Sequence, residues 1–478
     1  MIRQLLLFLL ILSFAIGCSK EETIENSKLN IGIPSDPSSL DPILVSDLVG
    51  KKLNYLIFKP LVSKSVDRSL VEETYSESGK IFFRIKNILN SKSELLSFDD
   101  IIFCLQRIQS EKNPRKSFYS VIKKIVPIDS SNFYITYSNS KANLLDLLSH
   151  SSASIYSKTH FLKNGSFVSF GEFSLVEWKR NERIVLRSID PNHKIKELNL
   201  IHNPNSFTGI YRFSISELDA LKLPYYLLYH PIAKKNKIEK LKGRSIQYIA
   251  VNWKDTCFDQ NFRLALNHSV DRKKILTKVF DDYAEETNLS FTNQYTFSEN
   301  KNSGNHFLYD ISLAKKFLEN SKCASEIKTR ELDFRLRADE ENKIKGEVLL
   351  HYFKQLGLNT KLNFLEKAKL YKENGEGKGD LTLLTWYLDF DSSLNYIDPL
   401  LSSDSLGNAG NRSFYNNPEF QKIIDLSREK GELDASSQSK AIDILKQDLP
   451  WVFLWSIDET YLVSPKLESI PNWNQFLF

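Results

Sequence analysis

LTLLTWYLDFD, Leu381 to Asp391, reads as a buried β-strand that delivers two aromatic rings and a carboxylate to its exit. Leu381, Leu383 and Leu384 are apolar, Thr385 is followed by the aromatic pair Trp386 and Tyr387, and Asp389 comes after one spacer. A carboxylate just past a buried strand, three residues from a tryptophan, is placed to hold a cation, because attraction between charges strengthens where water is excluded. The same residue suits a turn, in which an aspartate side chain accepts hydrogen bonds from nearby backbone N–H groups. The surrounding chain decides between the two.

Immediately before the strand, GEGKG at Gly375 to Gly379 lacks the Ser or Thr after Lys that a phosphate-cradling loop needs, and reads as a solvated turn. Further upstream, Asp339 to Leu356 is a helix with Ile344, Val348, Tyr352 and Leu356 four apart, stopped by Gly357 and followed by a strand alternating Leu358, Thr360, Leu362 and Phe364. Helices are also expected over Phe262–His268, from the cap Asp271 to Phe280, after the cap Asp310, from Pro418 behind Asn417, and over Ala435–Asp448, with a strand at Trp451–Trp455. Alternating helices and strands predict parallel pairing through crossovers, with binding crevices at the strands' C-terminal ends, where Asp389 falls.

The first half is patterned differently. A strand at Leu29–Ile33 runs into PSDPSSLDP, whose prolines forbid a helix and stiffen a loop. Lys51–Leu61 reads as a helix, Lys80–Lys86 and Phe133–Tyr137 as strands, Ser97 to Asp100 as a capping box, and Ala142–Leu148 as a helix. Phe173–Lys179 and Arg183–Ile189 form a hairpin about a polar turn, Ser214–Leu221 reads as a short helix, and Ser245–Asn252 as an apolar strand.

A chain of 478 residues is too long for one core and implies two or three domains. With 41% hydrophobic and 12% aromatic residues it has the material for them. The 64 basic and 59 acidic residues are interspersed, without the basic, aromatic-laced block that nucleic-acid binding requires. No H-E-x-x-H or G-x-S-x-G occurs, and His268-Ser269 beside Asp271 lie too close along one helix turn to work as a triad, so no enzyme is indicated. Cysteine and histidine spacings suit neither a metal site nor a cofactor. Beyond Cys18 only Cys104, Cys257 and Cys323 remain, an odd number that suggests no disulfide framework; Cys104 and Cys323 read as small helix residues, and the role of Cys257 stays open.

At the amino terminus Arg3 precedes an apolar run from Leu5 to Ile16, too short for the roughly 20 residues of a membrane span and therefore read as an export signal. Phe14-Ala15-Ile16-Gly17-Cys18 resembles a bacterial lipobox. The resemblance implies cleavage before Cys18 and a lipid on its sulfur that holds the protein on a membrane. The polar, aperiodic SKEETIENSK then serves as a tether.

Eight stretches in one order, LNIGIPSDPSSLDP (29–42), GKIFFRIKN (79–87), SFDDIIFCLQRI (97–108), FDQNFRLALNHSVDRKKIL (258–276), LYDISLAKKFLE (308–319), GLNTKLNFLE (357–366), TWYLDF (385–390) and NPEFQKIIDLSREK (417–430), resemble the family 5 solute-binding proteins of bacterial ABC transporters. That resemblance implies an α/β, two-lobed periplasmic-binding-protein fold of type II, hinge-linked, with an extra α+β subdomain on the first lobe. The expected division is a signal at 1–17, a tether at 18–27, lobe 1 at 28–54, 166–251 and 453–478, the subdomain at 55–165, and lobe 2 at 252–452. It further implies a monomeric, exported lipoprotein of the cell envelope, facing the periplasm or the exterior. Such a protein captures peptides in the cleft, delivers them to ABC permease subunits for import, and uses no cofactor or metal. In peptide-binding members the aspartate of W-x-x-D pairs with the ligand ammonium, which here makes Asp389 the ammonium partner. Thr385, Trp386 and Tyr387 then belong to the strand that bonds the peptide backbone, and Ser39, Leu40 and Asp41 lie across the cleft. Other members of similar fold carry metal chelates, sugars or other solutes, so a surface or sensory lipoprotein that takes a protein partner or a non-peptide solute is the alternative.

Overall fold

The computed structural model describes residues 27–45, 47–63, 68–110, 112–113, 116, 118–138, 141–243, 245–286, 307–387, 394–430 and 433–478. Cys18 and Asp389 lie outside the described residues.

A seven-stranded sheet is built mainly from the first half, in the order Lys237–Leu241, Glu459–Val463, Ala220–Lys222, Lys28–Ile33, Glu197–His202, Arg183–Ser188, Phe173–Lys179. The strand Lys28–Ile33 is parallel to both of its neighbours and the remaining pairs are antiparallel, the hairpin among them. Beside it, Val71–Glu77, Lys80–Ile85, Asn132–Tyr137 and Ile122–Pro127 make a four-stranded antiparallel sheet. The helix Phe98–Ile108 starts at the expected capping box: Ser97 Oγ accepts from the Asp100 N–H at 3.2 Å and Asp100 Oδ2 from the Ser97 N–H at 3.1 Å. Its buried residues Ile101, Cys104, Leu105 and Ile108 join the core that holds Leu29, Ile31 and Ile33 of the larger sheet. Burying each such side chain contributes about 1.5–3 kcal/mol, so the subdomain and the large sheet stabilise one another.

The second half builds a six-stranded sheet, in the order Ala284–Glu286, Trp451–Ile457, Ser245–Val251, Leu381–Tyr387, Leu332–Arg337, Thr360–Leu365. Parallel pairing, expected throughout, holds for the strands at Leu332–Arg337, Thr360–Leu365 and Leu381–Tyr387, whose links carry the helices Glu340–Leu356 and Lys367–Gly375. The other pairs are antiparallel, because Ser245–Val251 and Trp451–Ile457 enter and leave directly from the other sheet without a helical crossover. The helix Glu340–Leu356 behaves as its sequence predicts. Asp339 Oδ1 accepts from the Asn342 N–H at 3.0 Å, and Gly357, at φ +92°, supplies the left-handed residue that ends it.

Two further expectations are corrected. Ser214–Leu221 is not a helix: the helix is Ser206–Ser214, capped by Asn205, and Ala220–Lys222 is a strand, since its backbone closes the ladder between Lys28–Ile33 and Glu459–Val463. Cys323 is not a helix-interior residue, because it precedes the helix Ala324–Thr329 and forms a disulfide with Cys257 across a sequence separation of 66. The odd cysteine is Cys104, buried and free. Ser245–Val251 and Trp451–Ile457 both lie in the six-stranded sheet.

The chain therefore passes from one sheet to the other between Leu241 and Ser245 and returns at Asp458. The crossings touch. The Gly243 N–H donates to Asp458 Oδ1 at 2.9 Å, and Lys240 Nζ lies 2.7 Å from Asp458 Oδ2. A Cβ on Gly243 would stand 1.9 Å from the Ile457 carbonyl oxygen, so only glycine permits this approach.

Candidate ligand site

The strand Leu381–Tyr387 follows a turn in which Gly377 and Gly379 both have positive φ, as GEGKG suggested. Asp380 fixes its start by accepting from the Asp333 N–H at 2.7 Å and from Arg330. On one side the strand pairs at all 7 of its residues with Ser245–Val251, from Leu381 opposite Val251 to Tyr387 opposite Ser245. On the other side only Leu381 and Thr382 have partners, Phe334 and Arg335. Among the described residues no strand covers that second edge from Leu383 to Tyr387.

Successive side chains leave a strand on opposite faces, so the three expected contacts separate. Thr385 Oγ1 accepts from Gln247 Nε2 at 2.9 Å, and Gln247 Oε1 accepts from Trp455 Nε1 at 2.7 Å, a chain that sets the threonine's rotamer. Trp386 packs with Tyr371 against the cluster of Ile246, Tyr248 and Leu384, and its indole N–H is enclosed without an acceptor. The Arg412 guanidinium lies 4.8 Å from the Tyr371 ring centroid and donates to the Tyr371 carbonyl at 2.8 Å. Burial holds that guanidinium below its usual range.

Tyr387 leaves on the other face, 44% exposed, within electrostatic reach of Lys222, Glu459, Glu341 and Arg337. There Glu459 joins two ammonium groups: Lys222 Nζ is 3.0 Å from Oε1 and Lys52 Nζ is 3.0 Å from Oε2. The Tyr461 hydroxyl accepts from Lys52 Nζ at 2.8 Å and donates to Glu459 Oε2 at 3.0 Å. Burial alone would raise the Glu459 carboxyl, but Lys222 and Lys52 overcome it and bring it down to about 2. Burial opposes charge on Lys222 as well, yet Glu459, Tyr387 and Glu341 together push its ammonium up to about 12. Lys52 is held below its usual range by burial, and the Lys222 charge adds to that against Glu459. Sequence reading did not select these residues; the available signal was a charged side chain at the end of each of two apolar strands, Lys222 and Glu459.

Ser39, Leu40 and Asp41 turn toward the seven-stranded sheet's own core. Arg107 Nη1 and Nη2 lie 3.1 and 2.7 Å from Asp41 Oδ1 and Oδ2, the Ser39 hydroxyl accepts from the Asp41 N–H at 3.0 Å, and Leu40 packs on the core. Cys257, Cys323 and Glu326 come within 4.8 Å of one another, but the disulfide leaves a single carboxylate there to offer a metal. Among the described residues no helix is long and apolar enough to cross a membrane.

The family model for bacterial extracellular solute-binding proteins, family 5, middle region, matches residues 94–408. The chain belongs to this family. Its members bind solutes and are not enzymes, and its fold is the two-lobed, hinge-linked one of type II periplasmic binding proteins. Heme-binding protein A of Haemophilus influenzae is 24% identical over 391 residues, covering 74% of this chain and 70% of the relative. The oligopeptide-binding protein OppA of Bacillus subtilis is 23% identical, covering 64% of this chain and 58% of the relative. The structure of the ABC transporter-associated periplasmic binding protein DppA from Helicobacter pylori, in complex with the peptide STSA, superposes with a TM-score of 0.76 at 19% identity, covering 93% of this chain and 96% of that one.

Proposed function

We propose that this protein captures short peptides between its lobes and passes them to an ABC permease, held at the membrane by a lipid on Cys18. The observation that carries the reading is the uncovered edge of Leu383–Tyr387, which ends beside an indole N–H that lacks an acceptor. An extended peptide laid on that edge continues the sheet through its main chain, which gives affinity without dependence on side chains. Asp389, two residues past the strand, then meets the peptide ammonium, and Thr385, Trp386 and Tyr387 flank the first residues. The loop Ser39–Asp41 serves as a support, pinned by Arg107, more than as a direct contact. The lobe boundaries we propose are the touching crossings at Gly243 and Asp458, about which the lobes close.

Mass spectrometry of material released from gently purified protein tests this, with a ladder of short peptides expected. Asp389→Asn should weaken binding of such a peptide by tenfold or more at unchanged melting temperature, since a hydrogen bond to a charged group is worth about 1.5–3 kcal/mol. A released non-peptide solute refutes the peptide reading. Unchanged affinity in Asp389→Asn removes that residue from the site.

A further inference from the structure

We propose that Lys222, with Lys52 behind it, receives a carboxylate of the bound ligand, so that the cleft selects peptides bearing an acid group beside the open strand edge. The inference rests on the peptide reading above and adds to it a requirement on the ligand's charge. It starts from a charge count. Lys52 and Lys222 share the single carboxylate of Glu459, and no other carboxylate among the described residues makes an ion pair with either. Both Glu459 oxygens are already engaged, Oε1 by Lys222 and Oε2 by Lys52 and Tyr461.

The neighbouring charges on the opposite lobe do not supply the balance. Glu341 pairs with Lys345 at 3.4 Å, and Arg337 pairs with Asp339. One positive charge is left over, and of the two lysines Lys222 is the more exposed: its side chain keeps 33% of its surface, against 21% for Lys52. Of the three protons on the Lys222 ammonium, Glu459 takes one.

The position matters as much as the sign. Lys222 ends a strand of the first lobe, and Tyr387, which feels its charge, ends the strand of the second lobe whose edge is open. A ligand lying on that edge carries its substituents into the gap between the ammonium and the phenol. When the lobes close and water leaves, an uncompensated ammonium is costly, whereas one that meets a carboxylate is not. A neutral ligand therefore closes the cleft less well than an anionic one.

The carboxylate has two sources, the peptide's C-terminus and an acidic side chain, and one titration separates them. Peptides of two to five alanines, with and without a single central Glu or Gln, each as free acid and as C-terminal amide, are titrated calorimetrically into the full chain and into Lys222→Met and Lys222→Arg. A tenfold or greater preference for an anionic form over its neutral match is expected, lost in Lys222→Met and kept in Lys222→Arg. Preference for acid over amide names the C-terminus as the source, and preference for Glu over Gln names the side chain. Lys222→Met should fold, because Glu459 keeps Lys52 and Tyr461. Peptide binding with no charge preference, or a preference that survives Lys222→Met, overturns the inference and leaves the peptide reading standing. No binding of any of these peptides overturns both.

Discussion

Cutting the bridge between Cys257 and Cys323 should destabilise the second lobe by a calculable amount. The two cysteines are separated by 66 residues. In the chain-entropy account a bridge closing a loop of that length removes about 4 kcal/mol worth of freedom from the unfolded chain at 25 °C. For a domain of 150–250 residues each kcal/mol moves the melting temperature by about 2–4 °C, which places the loss at roughly 10 °C. The bridge joins the segment ahead of the helix Gln260–Ser269 to the start of the helix Ala324–Thr329, so the effect belongs to the transition of the six-stranded lobe. The assay is scanning calorimetry of the native chain and of Cys257→Ser/Cys323→Ser, each with and without dithiothreitol. Reductant should bring the native protein down to the double variant and leave the variant where it is. Equal melting of all four samples, or titration of Cys257 and Cys323 as free thiols in unreduced, denatured protein, would refute the reasoning.

Two further outcomes follow from the crossings. Gly243→Ala places a methyl group 1.9 Å from the Ile457 carbonyl oxygen, so the paired crossings must separate; a loss of at least about 2 kcal/mol is expected in urea denaturation, and unchanged stability would show that the approach is not tight. The Glu459 carboxyl falls from the ordinary 4.5 to about 2 on folding, worth about 3 kcal/mol. Because the folded value is the lower one, that stability is complete above about pH 4.5 and disappears as the pH falls toward 2. Urea midpoints between pH 2 and 7 should show this loss in the native chain and not in Glu459→Gln; parallel curves would refute it.

Much of the fold could be read locally. The capping box at Ser97, the stop at Gly357 and the hairpin about Asn181 are decided by residues within one turn of one another, and each stands where its sequence puts it. Ser214–Leu221 misled because Leu218 and Leu221 have helical spacing, while the strand pairing that claims Ala220–Lys222 comes from Lys28–Ile33 and from Glu459–Val463. The disulfide was illegible for the same reason: the spacing of three cysteines says nothing of which two the sheet brings together. Of the proposed site, Thr385, Trp386 and Tyr387 could be put forward together from sequence because they share one strand. Lys52, Lys222 and Glu459 come from three distant segments: the seven-stranded sheet brings Lys222 to Glu459, and Lys52 reaches Glu459 from the helix Leu48–Ile57.

The sheet topology explains why that assembly sits beside the strand end. Glu459 is the first residue after the crossing at Asp458, and Ser245, two residues after Gly243, pairs with Tyr387. The two crossings thus fix the position of the charged group on one lobe and of the open strand's last residue on the other, over very short lengths of chain. Tyr387 is paired with Ser245 and Lys222 is bonded to Glu459, so the closure proposed above, pivoting on Gly243 and Asp458, displaces the two relative to each other less than it displaces the far ends of the lobes. On the reading proposed above, a ligand carboxylate can meet Lys222 before closure, and the loss of water on closure then raises the cost of leaving that ammonium unpaired. Substitutions at Lys222 should then change the association rate as well as the stability of the closed complex, whereas groups distant from the crossings should change the closed complex and release alone.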